Sequence, residues 1–459
     1  RPVARVALLA PPPSGRGYAR ELKALSRVMP DAGAEPGFEG LSVAGLRTSA
    51  QTLEAMRGWC FSDQNAPPAP DVLVAAPDGA LGARVAARRL EALGARVESG
   101  GFPGYEKMMC DPTASEAALD LLDPLVAWAR RDAPPTGRAA PARPLVRALQ
   151  GAAFIEEPAR FGPAENYAGV LCRPRADAGA APVLFLNAGG THHGGWARVT
   201  VDHARALAAQ GVASLRIDLP GVGDSRGFED RTRPAYYAET QVEAALAALD
   251  FLEARGFAQA RVTGACSGAH HAFHAARLDP RVVGAMIVNL QLFAWTQRSA
   301  LAFGAWMSSR AFDVDMRKRV EDAETATLSR LQARLAAGAV RLAKSSAKTA
   351  RRALRGAAPP RADEGEEGTT RFARGALEAM SARGVEVAFV FGAGDSGWAE
   401  FESRFGPGGE AALALPGVTL DVIPDTDHPI TPPAARARLF EAMQAWLTRD
   451  GTPRAARRA

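Results

Sequence analysis

From residue 181 onward, short apolar runs alternate with stretches whose apolar positions recur every three or four residues. The runs at 181–187, 212–218, 260–263, 282–288, 385–391 and 418–423 are four to seven residues long and rich in Val, Ile, Leu and Phe. That length and composition read as buried strands. The intervening segments at 204–210, 241–255, 269–278 and 433–447 carry helical periodicity. Strands alternating with helices at this spacing predict an α/β domain, with a mostly parallel sheet covered by helices on both faces. The same rhythm occurs on a smaller scale near the start. Residues 6–10, 71–76 and 95–98 read as strands, and 80–93 and 116–129 as helices. A Pro-, Arg- and Ala-rich stretch at about 131–146 separates the two regions and reads as a linker. At 459 residues, two domains are the expectation. We place a smaller α/β domain at 1–135, the linker at 136–150 and a larger α/β domain at 151–450.

The rhythm breaks between 290 and 384. This insert is helical by composition and holds Arg317, Lys318, Arg319, Arg341, Lys344, Lys348, Arg351, Arg352 and Arg355. It closes on an acidic, glycine-containing segment at 362–370, expected to be a loop. The basic run reads either as a solvated helix face or as a rim that contacts anionic groups, such as a phosphopantetheine arm, an acidic glycan or an anionic membrane surface. It also accounts for most of the formal net charge of +5, so no nucleic-acid footprint spreads over the chain. Cys60, Cys110, Cys172 and Cys266 are scattered without a C-x-x-C pair, which predicts neither a disulfide framework nor a metal site. No apolar stretch is long enough for a membrane helix. The opening RPVARVALLA reads as a strand rather than a signal peptide, because three prolines follow at once. A cytoplasmic location is the default expectation, and no cofactor is predicted.

The chemistry concentrates in four places. Gly264-Ala-Cys266-Ser-Gly268 follows one predicted strand and precedes a helix, the context of a strained turn that presents a nucleophile. A cysteine at the first turn of a helix favours the thiolate. Two other readings stay open: Cys266 as a buried structural thiol, and Ser267 as the nucleophile in a frame shifted by one. Asn187-Ala-Gly-Gly190 lies directly after the strand at 181–187, with His192 and His193 beside it. Asp218-Leu-Pro-Gly-Val-Gly-Asp-Ser225 follows the strand at 212–218. Asp395, in Gly392-Ala-Gly-Asp-Ser-Gly397, and His428, in Asp425-Thr-Asp-His-Pro-Ile430, follow the last two predicted strands.

These motifs, in this order between about 167 and 447, resemble those of the α/β-hydrolase superfamily. More narrowly, they are similar to bacterial hydrolases associated with exosortase and exopolysaccharide gene clusters, which share a G-x-C-x-G-type elbow. The resemblance implies an α/β-hydrolase fold with a helical lid insert at about 290–384. It also implies a catalytic triad in the order nucleophile, acid, base, which falls on Cys266, Asp395 and His428. The oxyanion hole would use the backbone N–H groups of Gly189 and Ser267, with His192 and His193 lining the substrate pocket. The Asp218 loop would be structural.

Of the seven histidines, His192 and His193 lie in the expected oxyanion loop, and His203, His270, His271 and His274 fall on predicted helices, which leaves His428 as the base. Asp427 is the rival acid. The first 191 residues contain no histidine, so the N-terminal domain, whose residues 72–129 look like the last strands and helices of a hydrolase sheet, is expected to be truncated and inactive.

The implied activity is cysteine-dependent hydrolysis of an ester or thioester through a covalent acyl-enzyme (an esterase or thioesterase). An alternative is an acyltransferase or cyclase that passes the acyl group from a carrier or CoA thioester to an amine or alcohol. A second alternative is a non-catalytic scaffold or binding protein. The expected partner is a small-molecule or carrier-linked acyl substrate.

Overall fold

The computed structural model describes residues 3–28, 37–43, 45–109, 115, 117–131, 148–176, 180–227, 236–296 and 366–448. These fall into two units that divide between Arg131 and Ala148.

The first unit is built on three short parallel strands, β1 (Arg5–Leu9), β4 (Asp71–Ala76) and β5 (Arg96–Gly101), in the order β1-β4-β5. Between β1 and β4 lie α1 (Gly15–Val28), a hairpin of β2 (Gly40–Val43) and β3 (Leu46–Ser49), and α2 (Ala50–Arg57). Helix α3 (Leu81–Ala92) joins β4 to β5, and α4 (Tyr105–Met108) and α5 (Leu119–Arg130) follow. The central strand β4 is apolar at almost every position because both of its faces are covered. Its Val72 and Val74 pack with Leu90 of α3, and its Ala75 with Leu121 of α5. The hairpin and the first two helices had not been read from the sequence, although α1 spaces its apolar residues at helical intervals.

The second unit is organised by one nine-stranded sheet. It begins with β6 (Leu149–Gln150), β7 (Phe154–Phe161), β8 (Tyr167–Pro174), β9 (Val183–Leu186), α6 (Val199–Ala208), β10 (Ser214–Asp218) and α7 (Glu239–Ala254). Next come β11 (Ala260–Ala265), α8 (Ser267–Leu278), β12 (Val282–Val288) and, after the break in the described residues, α9 (Glu366–Ala382). The unit ends with β13 (Glu386–Gly392), α10 (Ser396–Phe405), α11 (Glu410–Leu413), β14 (Val418–Ile423) and α12 (Pro433–Leu447).

The spatial order is β14-β13-β12-β11-β9-β10-β8-β7-β6. β8 runs antiparallel to both β7 and β10, and β9 through β14 are parallel. An antiparallel strand before a parallel series, with β9 and β10 exchanged in order, is the sheet of the α/β-hydrolase fold. The exchange puts the topological switch point of the sheet at β9, where the chain departs in opposite directions.

Strand periodicity distributes the core between the faces. On β13, Val387, Phe389 and Phe391 join α7, α8, α9 and α10 on one side, while Ala388 and Val390 join α6 and α12 on the other.

Two parts of this unit depart from the sequence expectation. β7 and β8 had not been read as strands, because β7 carries Glu156, Glu157 and Pro158. Pro158 is accommodated because β6 is only two residues long, so β7 is an edge at that point. Glu156 is 5% exposed but accepts from Arg205 and from Arg216, at 2.7 Å each. Burial pushes the Glu156 carboxyl up, and the two guanidiniums more than reverse this, holding it below the ordinary value.

The second departure is at 362–370, where residues from Glu366 on are helix rather than loop. Glu366 and Glu367 sit at the positive end of α9, and Ala373, Leu377 and Met380 recur at helical spacing as fully buried residues. Of the lid expected at about 290–384, residues 297–365, which hold the nine basic residues named for it, lie outside the described residues, while Glu366–Ala382 forms α9.

Candidate active site

β11 runs to Ala265, and α8 begins at Ser267, so a single residue makes the turn between strand and helix. That residue is Cys266, at φ 54° and ψ −119°, a conformation that L side chains rarely adopt. It is fixed from several directions. The Cys266 N–H donates to Val288 O at 3.0 Å, and its carbonyl accepts from the Ala269 N–H at 3.2 Å.

The flanking glycines are required by contact. A Cβ on Gly264 would lie 2.4 Å from the Gly268 backbone, and one on Gly268 would lie 2.6 Å from Asn187 O. Strand, helix and the loop after β9 therefore meet with no room for side chains, and the thiol is held clear at the apex. Strain of this sort persists only where the surroundings over-determine it. Cys172, by contrast, is fully buried on β8, and burial pushes its thiol up to about 11.

The loops after β13 and β14 bring two more groups to this apex. Asp395 caps α10: its Oδ1 accepts from the Gly397 N–H at 2.8 Å and from Gln291 Nε2 at 2.7 Å. Its other oxygen, Oδ2, lies 2.5 Å from His428 Nδ1. The Asp395 side chain is 2% exposed and that of His428 24%. Burial alone would lower the His428 pKa, but the hydrogen bond to Asp395 and the neighbouring Cys266 sulfur, as hydrogen-bond partner and as charge, raise it to about 10. His428 thus stands between a carboxylate and a thiol, with one ring nitrogen committed to each side.

Asn289 holds the two loops in register. It is fully buried at φ 47°, donates Nδ2 to His428 O at 2.7 Å and accepts from the Gly392 N–H at 2.8 Å. Neither Asn289 nor Gln291 was singled out in the sequence, because an amide after a strand carries no pattern of its own.

The other candidates are placed as follows. Asp427 accepts from the Thr431 N–H and Oγ1 at 2.7 and 2.6 Å, so it builds its own turn, and the carboxylate on the imidazole is that of Asp395. Ser267 is 3% exposed, and its Oγ accepts from the Gly189 N–H at 2.9 Å. This differs from the expectation for Gly189: the amide expected to bind an oxyanion is engaged by a side-chain oxygen. The Ser267 N–H, at the first turn of α8, has no backbone acceptor among the described residues.

His192 accepts from the Gly194 N–H at 3.0 Å. His193 differs from a free pocket wall. Its N–H and its Nδ1 both face the buried Asp218 carboxylate, at 2.6 and 2.8 Å. Asp218 also receives Asn187 Nδ2 and the Asp224 N–H, so one carboxylate ties the loop after β9 to the loop after β10. His193, Asp218 and Asp224 present ligand-type atoms within 4.8 Å of one another, but these hydrogen bonds already account for the cluster. His203, His270 and His271 are buried on α6 and α8, His274 on α8 is half-buried, and loss of solvation lowers the pKa of each.

One further group at the thiol had no sequence signal. Tyr237, on the segment before α7, is 6% exposed, and burial together with the neighbouring Cys266 raises its pKa well above the ordinary value. Its ring stacks on Trp295 (centroids 4.7 Å, 9°) and meets His270 edge-on at 5.1 Å.

No family model and no curated protein matches the chain. Among solved structures, a dienelactone hydrolase from Anabaena variabilis aligns over 65% of this chain and 97% of its own, at 14% identity and a TM-score of 0.38. An esterase from Pyrococcus furiosus aligns over 64% and 92%, at 13% identity and 0.39. A proline iminopeptidase from Mycobacterium smegmatis aligns over 63% and 99%, at 19% identity and 0.38. Likenesses at these values carry no argument about chemistry. The chain has the α/β-hydrolase fold on the evidence of its own strand order, and among the described residues no helix is long and apolar enough to cross a membrane.

Proposed function

We propose that the second unit is a cysteine-dependent hydrolase that forms a covalent acyl-enzyme on an ester or thioester. The observation that carries this reading is the elbow: Cys266 in a strained conformation between β11 and α8, beside an imidazole that is backed by a buried carboxylate. A buried structural thiol needs no such turn and no titrating neighbour, as Cys172 illustrates.

In this mechanism, Cys266 gives its proton to His428, and its sulfur attacks the acyl carbon. Asp395 holds the Nδ1 proton, so the other nitrogen, Nε2, is the one that works. It also stabilises the imidazolium once formed. His428 then returns the proton to the leaving alcohol or thiol as the tetrahedral intermediate collapses. A water molecule next delivers its proton to His428 and attacks the thioester, which releases the acid and regenerates the thiol. The Ser267 N–H faces the position of the developing oxyanion.

Transfer of the acyl group to an amine or alcohol uses the same intermediate and differs only in the acceptor. Contact with an anionic carrier would fall to residues 297–365. The N-terminal unit has the parallel strands of a reduced α/β domain and no histidine, and is proposed to be catalytically silent.

The test is turnover of p-nitrophenyl acetate and of a short acyl thioester by the wild-type protein and by Cys266→Ala, Asp395→Asn and His428→Ala. The reading expects turnover in the wild type and its loss in all three variants. Unchanged turnover in Cys266→Ala would end it.

A further inference from the structure

His428 is oriented only while the Asp395 carboxylate faces it, and the two sit on separate loops, 33 residues apart in the chain. Their alignment therefore depends on what ties one loop to the other. Resting on the reading of this pair as the acid and base that serve Cys266, we infer that Gln291 is the positioning residue of the triad. It sets the Asp395 carboxylate so that Oδ2 meets His428 Nδ1.

The first support is the way the carboxylate is held. Its Oδ1 accepts from the Gly397 N–H at 2.8 Å and from Gln291 Nε2 at 2.7 Å, which leaves Oδ2 for the imidazole. Gly397 belongs to the same turn as Asp395, two residues on, and moves with it. Gln291 comes from the segment after β12, so of the two donors on Oδ1 it is the one that ties the carboxylate to a separate element.

The second is the orientation of the amide. Gln291 Nε2 faces Asp395 Oδ1 and, at 3.1 Å, Asn289 O; an ionised carboxylate and a carbonyl can only accept. Oε1 faces the Ser396 hydroxyl, which donates to it at 2.6 Å. Turned over, the amide would set its oxygen against two acceptors. One orientation is dictated, and it aims an N–H at Asp395.

The third is that the same segment holds the base. Asn289, two residues earlier, donates Nδ2 to His428 O at 2.7 Å and accepts from the Gly392 N–H at 2.8 Å. Its own N–H reaches Val390 O at 2.9 Å. Leu290 and Phe293 anchor the segment in the core, at 1% exposure each. A Cβ on Gly397 would lie 2.2 Å from Leu290 O, so the loop of the acid rests directly on this segment. Residues 289–291 thus register acid and base against one support. Being neutral, the Gln291 amide fixes the carboxylate without cancelling its charge, which stays available to the imidazolium.

The experiment measures single-turnover acylation by p-nitrophenyl acetate in wild type, Asp395→Asn, Gln291→Met and the double variant, with a melting curve for each. Acylation of wild type that slows in Asp395→Asn establishes the acid on which the proposal rests. Equal rates in these two remove that reading, and the proposal with it.

With the acid established, Gln291→Met keeps the length of the side chain and loses its donors. Acylation is expected to slow about 10- to 100-fold, the weight of a hydrogen bond to a charged group, with apparent substrate affinity within about twofold of wild type. In the Asp395→Asn background the same substitution is expected to cost less than about twofold, because no carboxylate is left to set. A merely structural role predicts the same factor in both backgrounds.

Ser396→Ala, at an exposed position, removes only the hydroxyl that holds Gln291 Oε1. It is expected to slow acylation about two- to tenfold, again only where Asp395 is present. This variant decides the matter if Gln291→Met does not melt cooperatively. Wild-type acylation in the variant that is read, or an equal factor in the two backgrounds, would overturn the proposal.

Discussion

Replacing Gly268 with alanine separates a built nucleophile turn from a chance G-x-C-x-G string. The added Cβ would lie 2.6 Å from Asn187 O, 2.8 Å from Leu186 O and 3.1 Å from the Asn187 carbonyl carbon, all of them backbone. Ordinary contact begins near 3.4 Å, so the end of β9 and the head of α8 must part by about 0.8 Å, the difference between 3.4 and 2.6 Å. Neither neighbour can yield by rotating a side chain.

Overpacking of this size destabilises by about 1–3 kcal/mol. At about 2–4 °C per kcal/mol for a domain of this size, the thermal midpoint should fall by roughly 2–12 °C. The larger effect is on chemistry. Parting the two elements by nearly 1 Å displaces Cys266 and the Ser267 N–H from the loop after β9, and misplacement on that scale lowers rates by about 10².

The assay is acylation by p-nitrophenyl acetate beside a melting curve. Gly375→Ala serves as control, since nothing lies within 4 Å of a Cβ there and alanine favours the helix by up to about 1 kcal/mol. A Gly268→Ala protein with wild-type midpoint and wild-type acylation would refute the steric account of the elbow.

Asp395→Asn should keep the cap on α10, because an amide oxygen can still accept from the Gly397 N–H, yet lower acylation at neutral pH by up to about 10⁴-fold. The basic limb of the rate profile, set near 10 by the raised His428, should move toward 6.5 in this variant. An imidazole more basic in the folded than in the unfolded chain stabilises fully below about pH 6.5, and that contribution is lost as pH rises through about 10. Denaturant titrations should therefore show the advantage of wild type over Asp395→Asn shrinking across that window.

Glu156→Ala strands the 4%-exposed Arg216 without a carboxylate and should destabilise by about 3–5 kcal/mol in urea unfolding; a loss under 1 kcal/mol would contradict this. His203 and His274, lowered to about 4 by burial, and His271, lowered to about 3, remain neutral in the fold while the unfolded chain protonates near 6.5. Stability should fall as pH drops from 6.5 toward 4, by up to about 1.4 kcal/mol per pH unit for each, and a flat urea midpoint over that range would exclude it.

The parallel half of the large sheet was legible because buried strands leave uninterrupted apolar runs: β12, β14 and α12 coincide with the expected 282–288, 418–423 and 433–447. The antiparallel strands were not. β7 buries a glutamate whose partners, Arg205 and Arg216, lie about 50 and 60 residues away, and no local pattern announces a pair made across a sheet. The elbow was visible because its glycines must flank one residue.

The supports of the site were hidden for a similar reason. Asn289 and Gln291 act through loops more than 100 residues distant, and Tyr237 is placed beside the site by packing on an aromatic cluster. Gly189 was chosen for its backbone freedom, while its actual partner, Ser267 Oγ, depends on how closely α8 approaches the loop after β9.

The most direct test of the central claim is intact-protein mass after a short exposure to p-nitrophenyl acetate, followed by peptide mapping, in wild type and Cys266→Ala. One acetyl group on Cys266 that decays with turnover and is absent from Cys266→Ala is the predicted result. Acetylation at Ser267, or equal acetylation of Cys266→Ala, would contradict it.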